Sequence, residues 1–490
     1  MKMYWQHLPL SAGQKKTDGI TLARKSVVWP LTTLLIFWNL ACQPVPDSGV
    51  SPAATGSARL ASGTVNLNVL LNAPVTDAIL TDLGKYGTVT GTLNRINAVT
   101  LRTSSANVSA VRRLSYVRAA NSDAERKGSP VDAVPVSDFS EGMNTWDLDA
   151  VNVTDLGATS RKVREDGSGV YIGVLDTGLL DTWRQYFPEE RIATQYARSF
   201  AGSDAGTVTD PTNMWEHDQD SHGTHVTSSI IGYNLRGTAI NGVAPKATVI
   251  PVKVLGQQGW GWSSVIARGI VYIAELKAGP LKNSPVAINM SLGGGQLDAI
   301  EQAAIDYAIA QGVIIVAAAG NEGDLGMSYP GAYAPVISVA ASGWVGEWTA
   351  PGSWWRNLDV PDPTRAGDFY ITDFSSRAKA GQDLDVAAPG SWVVGPYQVN
   401  SGPTSYYFLG GTSMASPHVA GIVALMQQRK PELTADRAES ILERAAIALP
   451  AGSRIITNPD GTTATITWGA DATGAGLITA DRALAKMTNM

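Results

Sequence analysis

The 490-residue sequence is poor in cysteine and histidine and carries no excess of basic residues. Its single cysteine, Cys42, excludes an intrachain disulfide. Five histidines leave few candidates for a general base; they stand at positions 7, 217, 222, 225 and 418. The formal net charge is −6, because 43 Asp and Glu outnumber 37 Lys and Arg. This balance gives no basic surface, so we expect no nucleic-acid partner.

The amino-terminal residues have the layout of an export signal. Residues 1–26 carry mostly basic charges, and residues 27–41 form an apolar run shorter than a membrane span. The run ends at Cys42 in a pattern that resembles a bacterial lipoprotein signal, although Asn39 replaces the usual aliphatic residue. We therefore expect a signal peptide at 1–42 and an exported protein, extracellular or attached to the cell envelope by a lipid on Cys42. The alternative is ordinary signal-peptidase cleavage, in which Cys42 has no role.

A linker and a small domain are predicted next. Residues 43–62 are rich in Pro, Ser, Gly and Ala, which is typical of a linker. Residues 63–126 alternate short strand and helix patterns in the order β-α-β-β-α-β, which favours a small α+β domain of the ferredoxin-like type. A polar, charged run at 121–128 follows the last strand, with Arg126 and Lys127 adjacent.

The pattern changes after Gly169 to apolar runs that alternate with helical segments. The predicted strands are rich in Val and Ile and lie at 170–175, 247–255, 286–290, 313–319 and 336–341. Helical spacing occurs between them, for instance at 264–276 and 297–310. Continuous apolar strands between helices indicate a parallel sheet that is covered on both faces. We therefore expect an α/β fold, a doubly wound parallel sheet with helices on both faces, within residues 127–490.

Three motifs bring polar residues to the ends of these elements. Asp176 follows a buried strand in Val-Leu-Asp-Thr-Gly, at the edge where ligands bind in open α/β sheets. His222 opens a helix in Asp-Ser-His-Gly-Thr-His, and Ser413 stands where a glycine-rich turn meets an apolar helix. A serine at a helix start is either an N-cap or a nucleophile whose own N–H stabilises an oxyanion. A carboxylate, an imidazole and a hydroxyl at one sheet edge favour nucleophilic catalysis.

These motifs resemble those of the subtilisin-type serine proteases and occur in that family's order. The resemblance covers about residues 143–485. It implies that Asp176 orients the imidazole, that His222 is the general base and that Ser413 is the nucleophile. A fourth match, Ala-Ala-Ala-Gly-Asn-Glu-Gly, implies that Asn321 donates a hydrogen bond to the oxyanion.

The stretch Asn-Met-Ser-Leu-Gly-Gly-Gly resembles the family's substrate edge. By this resemblance an extended peptide pairs with Ser291, Leu292 and Gly293, and Gly320 borders the same site. Such pairing gives affinity through the main chain, without demands on the side chains of the substrate. The expected substrates are therefore polypeptides.

The resemblance further implies a precursor that processes itself. Residues 63–126 would be a propeptide that inhibits the catalytic domain at 127–490, and the cut is expected between about Arg118 and Asp138. We expect a monomer that needs no cofactor for its chemistry. Structural calcium is common in the family, but the acidic pair Asp218 and Asp220 is too weak a pattern to assign ligands.

Other functions fit single motifs but not the whole set. Asp-Thr-Gly is also typical of aspartic proteases, which need two copies in an all-β setting. His222 and His225 could share a metal on a helix face, but no third ligand is evident, so His225 and His418 are expected to be structural. The alternative from another class is a catalytically silent surface lipoprotein that binds peptides. Competent residues at all four catalytic positions argue against it.

A tryptophan-rich segment at 342–373 is longer than the family's usual connection at this place. One interpretation is a satellite hydrophobic cluster that stabilises a surface loop. The other is an extended wall beside the cleft that narrows the access of peptides.

Overall fold

The computed structural model describes residues 63–135, 145–154, 161–201, 213–349, 359–398 and 404–488. The predicted signal at 1–42, the linker at 43–62 and Cys42 lie outside the described residues. The strands, in chain order, are β1 (Thr64–Leu71), β2 (Gly87–Leu93), β3 (Ala98–Ser104), β4 (Val117–Ser122), β5 (Glu125–Lys127), β6 (Asp132–Pro135), β7 (Tyr171–Asp176), β8 (Arg198–Ser199), β9 (Tyr233–Leu235), β10 (Thr238–Ile240), β11 (Thr248–Lys253), β12 (Trp260–Trp262), β13 (Val286–Met290), β14 (Val313–Ala318), β15 (Ile337–Trp344), β16 (Phe369–Ile371), β17 (Val386–Pro389), β18 (Val393–Pro396), β19 (Tyr406–Gly410), β20 (Gly452–Thr457) and β21 (Thr463–Trp468). The helices are α1 (Asp77–Leu83), α2 (Val108–Arg112), α3 (Trp146–Ala150), α4 (His222–Ile231), α5 (Ser263–Ala278), α6 (Ala299–Ala310), α7 (Thr412–Arg429), α8 (Ala435–Ala445) and α9 (Ala480–Thr488).

The larger part of the chain folds around an eight-stranded sheet. Its order is β16-β15-β14-β13-β7-β11-β8, and β17 also pairs with β15. All pairs are parallel except β15 with β16. The chain order reverses at β7, which has β11 on one side and β13 on the other. Side chains at the C-terminal end of β7 therefore lie where open α/β sheets bind ligands.

Both faces of this sheet are buried, and the side chains alternate between them. In β14, Ile314 and Val316 join one core cluster while Val313 and Ile315 join the other. Residues of α4, α7, α8 and α9 belong to the first cluster, and residues of α5 and α6 belong to the second. The apolar runs of the sequence thus form strands because both alternating sets of side chains lose their contact with water. The predicted α/β fold is confirmed.

The longest helix, α7, runs through the first core cluster. Sixteen of its 18 residues are buried, from Thr412 to Gln427. Among the described residues, no helix is both long and apolar enough to cross a bilayer. Burial of α7 within the protein accounts for its apolar composition.

The small domain at 64–122 is an antiparallel sheet in the order β2-β3-β1-β4, with α1 and α2 on one face. Its elements follow the predicted order β-α-β-β-α-β. Leu67, Val69 and Leu83 belong to the core between sheet and helices. Leu70 and Leu93 belong instead to the cluster that contains α5 and α6. The second face of the small sheet is therefore covered by these two helices of the larger sheet.

Carboxylates stand at the starts of both helices where the small domain meets them. Asp123 accepts the N–H of Ser264, in the first turn of α5, at 3.1 Å. Asp298 caps α6, and its Oδ2 accepts the side-chain amides of Asn68 at 2.7 Å and Asn121 at 2.9 Å. A negative charge near the N-terminus of a helix is favourable, so these contacts stabilise the docking of the small domain.

The described part of the tryptophan-rich segment packs into a third hydrophobic cluster. The Trp348 ring lies edge-on against Phe408 of β19, with centroids 5.3 Å apart. Glu347 is buried beside it and accepts hydrogen bonds from Tyr370 and Ser391 at 3.1 and 2.9 Å. Burial raises the pKa of Glu347 to about 8. These contacts favour the satellite-cluster interpretation.

Candidate active site

Asp176 ends strand β7, and its carboxylate is fully buried. Its Oδ1 accepts the main-chain N–H of Thr177 at 2.7 Å. The Thr177 hydroxyl donates to Asp218 at 2.7 Å and accepts the N–H of Gly223 at 2.9 Å. The end of the strand is thereby tied to the start of α4. Asp218, one of the acidic pair noted as a calcium candidate, serves to hold this loop together; burial raises its pKa to about 6.

His222 is the first residue of α4, and its imidazole is fully buried. The next residue, Gly223, packs directly on the loop after β7. A Cβ atom at Gly223 would lie 2.3 Å from the main-chain oxygen of Gly178 and 3.2 Å from Oδ1 of Asp176. Only glycine allows this approach, which brings the imidazole within hydrogen-bond reach of the carboxylate.

The Asp176 and His222 side chains form a buried pair. Nδ1 of His222 lies 2.9 Å from Oδ1 and 3.0 Å from Oδ2 of Asp176. Burial lowers the pKa of His222, but the Asp176 carboxylate, with Asp220 and Asp218 further away, outweighs this and raises the pKa above its ordinary value. Because the carboxylate accepts a proton on Nδ1, the neutral ring keeps Nε2 free to accept another. No described residue is a hydrogen-bond partner of Nε2.

Ser413 lies in the first turn of α7 and is almost completely buried. Pro417 stands four residues later and has no N–H, so it cannot bond to the main-chain oxygen of Ser413 as a helix requires. The Ser291 hydroxyl fills this place and donates to that oxygen at 2.7 Å. The Ser413 hydroxyl in turn donates to the main-chain oxygen of Ser291 at 3.1 Å. This pair of bonds holds the predicted nucleophile against the end of β13.

The hydroxyl of Ser413 is not hydrogen-bonded to His222 in this arrangement. Both residues nevertheless flank one point, the main-chain oxygen of Ser291. A Cβ atom on Gly128 would lie 2.9 Å from that oxygen and 3.2 Å from Cε1 of His222. Hydrogen bonds between a nucleophile and its base are often long in the absence of substrate and tighten when substrate binds.

Asn321 follows β14, and its side chain has a defined orientation. Its Oδ1 accepts the N–H and the hydroxyl of Thr412, both at 2.9 Å. Because a main-chain N–H can only donate, the oxygen must face Thr412 and the amide NH₂ must face away from it. Nδ2 lies 3.7 Å from the position of a Cβ atom on Gly411, next to the start of α7. Asn321 and the N–H of Ser413 are thus near neighbours, as an oxyanion hole needs.

The predicted substrate edge is paired with the chain's own residues. Gly293 and Lys127 exchange two main-chain hydrogen bonds, of 2.8 and 3.0 Å. On the other side, β5 pairs with β12 in an antiparallel ladder, and Gly128 donates to the oxygen of Gly259 at 2.8 Å. Residues 125–128 therefore form the middle strand between β12 and Gly293. We call residues 125–131 the cleft segment.

The other predicted substrate-binding residues lie around this strand. Leu292 is buried. Gly320 has a φ of +108° and donates its N–H to the Thr412 hydroxyl at 3.2 Å, so this N–H is already engaged. Gly320 therefore borders the site with a main chain in the positive-φ conformation and offers no free N–H to a substrate.

Beyond Gly128 the cleft segment passes the start of α7. Val131 donates its N–H to the oxygen of Gly410 at 2.7 Å, and β6 then pairs with β19. Gly410 is three residues before Ser413. Residues 129 and 130 lie between the point next to His222 and the point next to Gly410.

Sequence reasoning missed the burial of Arg126. Its guanidinium is completely buried and pairs with Glu301 of α6, which is also buried. The run at 121–128 has the polar composition of an exposed connection. In the structure, β5 is a strand with Arg126 inward and Glu125 and Lys127 outward.

His225 and His418, the two histidines expected to be structural, each contact another part of the chain. His225 Nε2 lies 3.1 Å from the main-chain oxygen of Val393. His418 contacts the oxygen of Met414 through Nδ1 and Oδ2 of Asp147 through Nε2, both at 2.8 Å. The metal interpretation of His222 and His225 gains no support, because among the described residues neither histidine belongs to a group of three potential metal ligands.

One cluster of the described residues has the donors of a cation site. Single carboxylate oxygens of Asp383, Asp385 and Glu439 lie within 4.8 Å of one another. Asp385 is buried, and its Oδ1 has no partner among the described residues. Three carboxylates are the ligand chemistry that calcium prefers. The cluster is separate from the Asp176, His222 and Ser413 site.

Residues 167–476 match the pattern of the Subtilase family, and this range is more than half of the chain. The chain belongs to that family. Its relatives include thermitase from Thermoactinomyces vulgaris, which is 33% identical over 262 residues. These residues are 53% of this chain and 76% of thermitase. The thermostable alkaline protease of Halalkalibacterium halodurans is 31% identical over 283 residues, or 58% of this chain and 63% of that protease.

Among solved structures, fervidolysin from Fervidobacterium pennivorans, described as a keratinolytic enzyme related to subtilisin, superposes with a TM-score of 0.62. The match covers 87% of this chain and 62% of fervidolysin at 22% identity, so it supports the fold. The chain spans less than two thirds of the alkaline protease and of fervidolysin. The subtilase fold is thus shown.

Proposed function

We propose that the protein is a serine endopeptidase that hydrolyses peptide bonds through an acyl-enzyme. The observation that carries the proposal is the buried Asp176–His222 pair, whose Nε2 has no hydrogen-bond partner among the described residues. The cleft also has the main-chain donors and acceptors of a strand, as Lys127 and Gly293 demonstrate. Similarity to proteases over the same residues supports this function.

The chemistry follows from the positions of these groups. Oγ of Ser413 attacks the peptide carbonyl carbon while His222 Nε2 takes the hydroxyl proton, and Asp176 stabilises the imidazolium. The N–H of Ser413 and Nδ2 of Asn321 donate to the oxyanion. Breakage of the C–N bond forms the acyl ester as His222 returns the proton to the leaving amine. Water, deprotonated by His222, then hydrolyses the ester and restores the serine.

A fluorophosphonate probe tests this function, because only an activated serine reacts with it. Labelling should map to Ser413 and should disappear in Ser413→Ala. The alternative, a catalytically silent lipoprotein that binds peptides, has the same fold and the same cleft. Intact, processed protein that binds peptides but neither reacts with the probe nor hydrolyses them would establish that alternative.

We also propose that the protein is made as a precursor and cuts itself at Ser129–Pro130. The cleft segment runs between β12 and Gly293 and then along Gly410, which is the course expected of a substrate. The small domain is then a propeptide that inhibits the enzyme by filling the cleft. The proposed cut lies within the predicted range of 118–138 and three residues beyond the predicted domain boundary at 126.

Export with lipidation of Cys42 remains a proposal that rests on the amino-terminal sequence. Mass spectrometry of the amino terminus of the unprocessed Ser413→Ala protein tests it, because the proposed cut at Ser129–Pro130 removes Cys42 from the wild type. A diacylglyceryl cysteine supports the lipid anchor, and an unmodified terminus in this variant contradicts it.

Structural calcium at Asp383, Asp385 and Glu439 is also proposed. There calcium would offset the mutual repulsion of three carboxylates. Addition of calcium to chelator-treated protein should raise the unfolding temperature, and Asp385→Asn should remove most of that increase.

A further inference from the structure

Arg126 and Glu301 form a buried ion pair in the wall of the cleft. The exposed fractions of their side chains are 0% and 1%. Nε of Arg126 lies 3.2 Å from both carboxylate oxygens of Glu301, and Nη2 also contacts Oε2. Desolvation of two charges is costly, so such a pair is retained only where its geometry is good. Glu301 stands in the first turn of α6, directly behind the substrate edge.

The pocket around the guanidinium fits arginine in particular. Nη2 donates to the main-chain oxygen of Gln296 at 2.9 Å, and Nη1 donates to the oxygen of Glu125 at 2.9 Å. Three nitrogens of one planar group are thereby used in three directions. A lysine ammonium is a single point and can reach only part of this set.

Arg126 is the cation that favours the ionised form of Glu301. Burial raises the pKa of Glu301, Arg126 opposes this effect, and Asp298 and Asp123 add to it. Every described hydrogen bond to the Glu301 carboxylate comes from Arg126. Arg126 belongs to the cleft segment, whereas Glu301 belongs to the predicted catalytic domain. The pocket around Glu301 therefore remains when a cut at Ser129–Pro130 removes Arg126.

The structure assigns Glu301 as a specificity-determining residue, and we propose that the mature enzyme prefers peptides with arginine at the fourth residue before the bond that is cut. The proposal rests on the proposed endopeptidase function. With the cut at Ser129–Pro130, Arg126 occupies that fourth position in the cleft segment. A substrate strand in the same register would place its own side chain on Glu301. The cleft segment is thus both the inhibitor and the template of the preferred substrate.

The rival account gives the ion pair a role in docking the propeptide only. Peptide hydrolysis by the mature enzyme separates the two accounts. The substrates are quenched fluorescent peptides with the sequence of residues 123–134, carrying Arg, Lys or Leu at the position of Arg126. All peptides carry Ala at the position of Pro130, so that they differ only at the position of Arg126.

Glu301→Gln is the test variant. It is produced from a precursor that also carries Arg126→Gln, so that no charge is buried without a partner while the protein folds. The mature enzyme then differs from wild type at Glu301 alone. Glu347→Gln is the matched control, because Glu347 is equally buried but contacts Tyr370 and Ser391, away from Arg126.

For the wild type, kcat/KM should be about 30-fold higher with the Arg peptide than with the Leu peptide, with Lys in between. In Glu301→Gln this ratio should fall to about threefold or less, whereas Glu347→Gln should keep it. Efficient hydrolysis of all peptides by the wild type without an arginine preference would overturn the proposal and leave the peptidase function intact. A mature wild type that hydrolyses none of them would contradict the peptidase function itself.

Discussion

Two buried histidine–aspartate pairs have nearly the same geometry and different surroundings. Nδ1 of His222 lies 2.9 Å from Oδ1 of Asp176, and Nε2 of His418 lies 2.8 Å from Oδ2 of Asp147. Both imidazoles are fully buried. The other nitrogen of His418 contacts the main-chain oxygen of Met414, whereas Nε2 of His222 has no partner among the described residues. A pair with both nitrogens engaged can only hold elements together. A pair with one nitrogen unengaged can accept a proton on that nitrogen.

The surroundings that create this difference are local. His222 is the first residue of α4, so its side chain extends beyond the helix toward the cleft. His418 lies within α7, one helical turn after Met414, whose main-chain oxygen is therefore within reach. The proposed catalytic role thus depends on the place of a histidine in its helix more than on its aspartate.

The largest difference between the pairs should appear when each histidine is removed. His222→Ala should lower kcat by about 10⁶-fold, the size of effect measured when subtilisin, a member of this family, loses its catalytic histidine. His418→Ala should leave the kcat of the folded enzyme within about threefold of wild type. Both proteins are processed in trans by an unrelated protease, and kcat is normalised to folded protein. Equal losses in the two variants would remove the distinction drawn here.

The free energy of unfolding should show the reverse order, with the larger loss at the His418–Asp147 pair. Asp147→Ala leaves His418 buried with a missing partner and should lower the free energy of unfolding by about 3 to 5 kcal/mol. Urea titration in a Ser413→Ala background measures this change without self-digestion. Asp147→Asn keeps an acceptor at nearly the same place and should lose less. An unchanged urea midpoint in Asp147→Ala would show that the second pair is not structural.

The pH dependence of activity should follow His222. Because a general base acts in its neutral form and the pKa of His222 is raised, the acid limb of kcat/KM should have its midpoint above the ordinary histidine value of about 6.5. The contribution of this pair to the free energy of unfolding changes with pH in the opposite direction. A raised folded-state pKa favours the charged imidazole, so this pair stabilises the fold below about pH 6.5 and loses that contribution as the pH rises through the folded pKa. A midpoint below 6 would contradict the raised pKa.

The smallest effect is expected from Asp220→Asn. The Asp220 carboxylate raises the pKa of His222, so its neutralisation should move the acid limb down by about half a pH unit. Asn retains an oxygen to accept the N–H of His222, at 3.3 Å in the wild type. Asp147→Asn provides the comparison and should leave the limb in place. A shift common to both variants would point to a general effect of net charge.

The sequence predicts those parts of the fold that depend on local pattern. The buried strands are continuous apolar runs, and β13 was predicted with its observed bounds, Val286–Met290. Ser413 is recognisable because a glycine-rich turn leads into an apolar helix, and His222 because it opens a helix in Asp-Ser-His-Gly-Thr-His. The hairpin of β20 and β21 is not among the predicted elements, although Pro-Asp-Gly between its strands is a turn signal.

The unpredicted features depend on partners far away in the chain. Arg126 and Glu301 are separated by 175 residues, and Asp147 and His418 by 271. Arginine in a polar run is usually exposed, and a glutamate in the first turn of a helix is explained by the helix dipole alone. Their burial follows only when the cleft segment lies against α6.

The amino terminus of the processed protein is the most direct test of the central claim, that the Asp176–His222–Ser413 site acts on the cleft segment. The full chain is expressed and purified in the absence of other proteases, and intact mass and terminal sequencing are followed over time. Wild type should release the small domain and begin at Pro130, while Ser413→Ala should stay joined through residues 129 and 130. Loss of the small domain from purified Ser413→Ala, or a stable wild-type terminus elsewhere, would contradict the account.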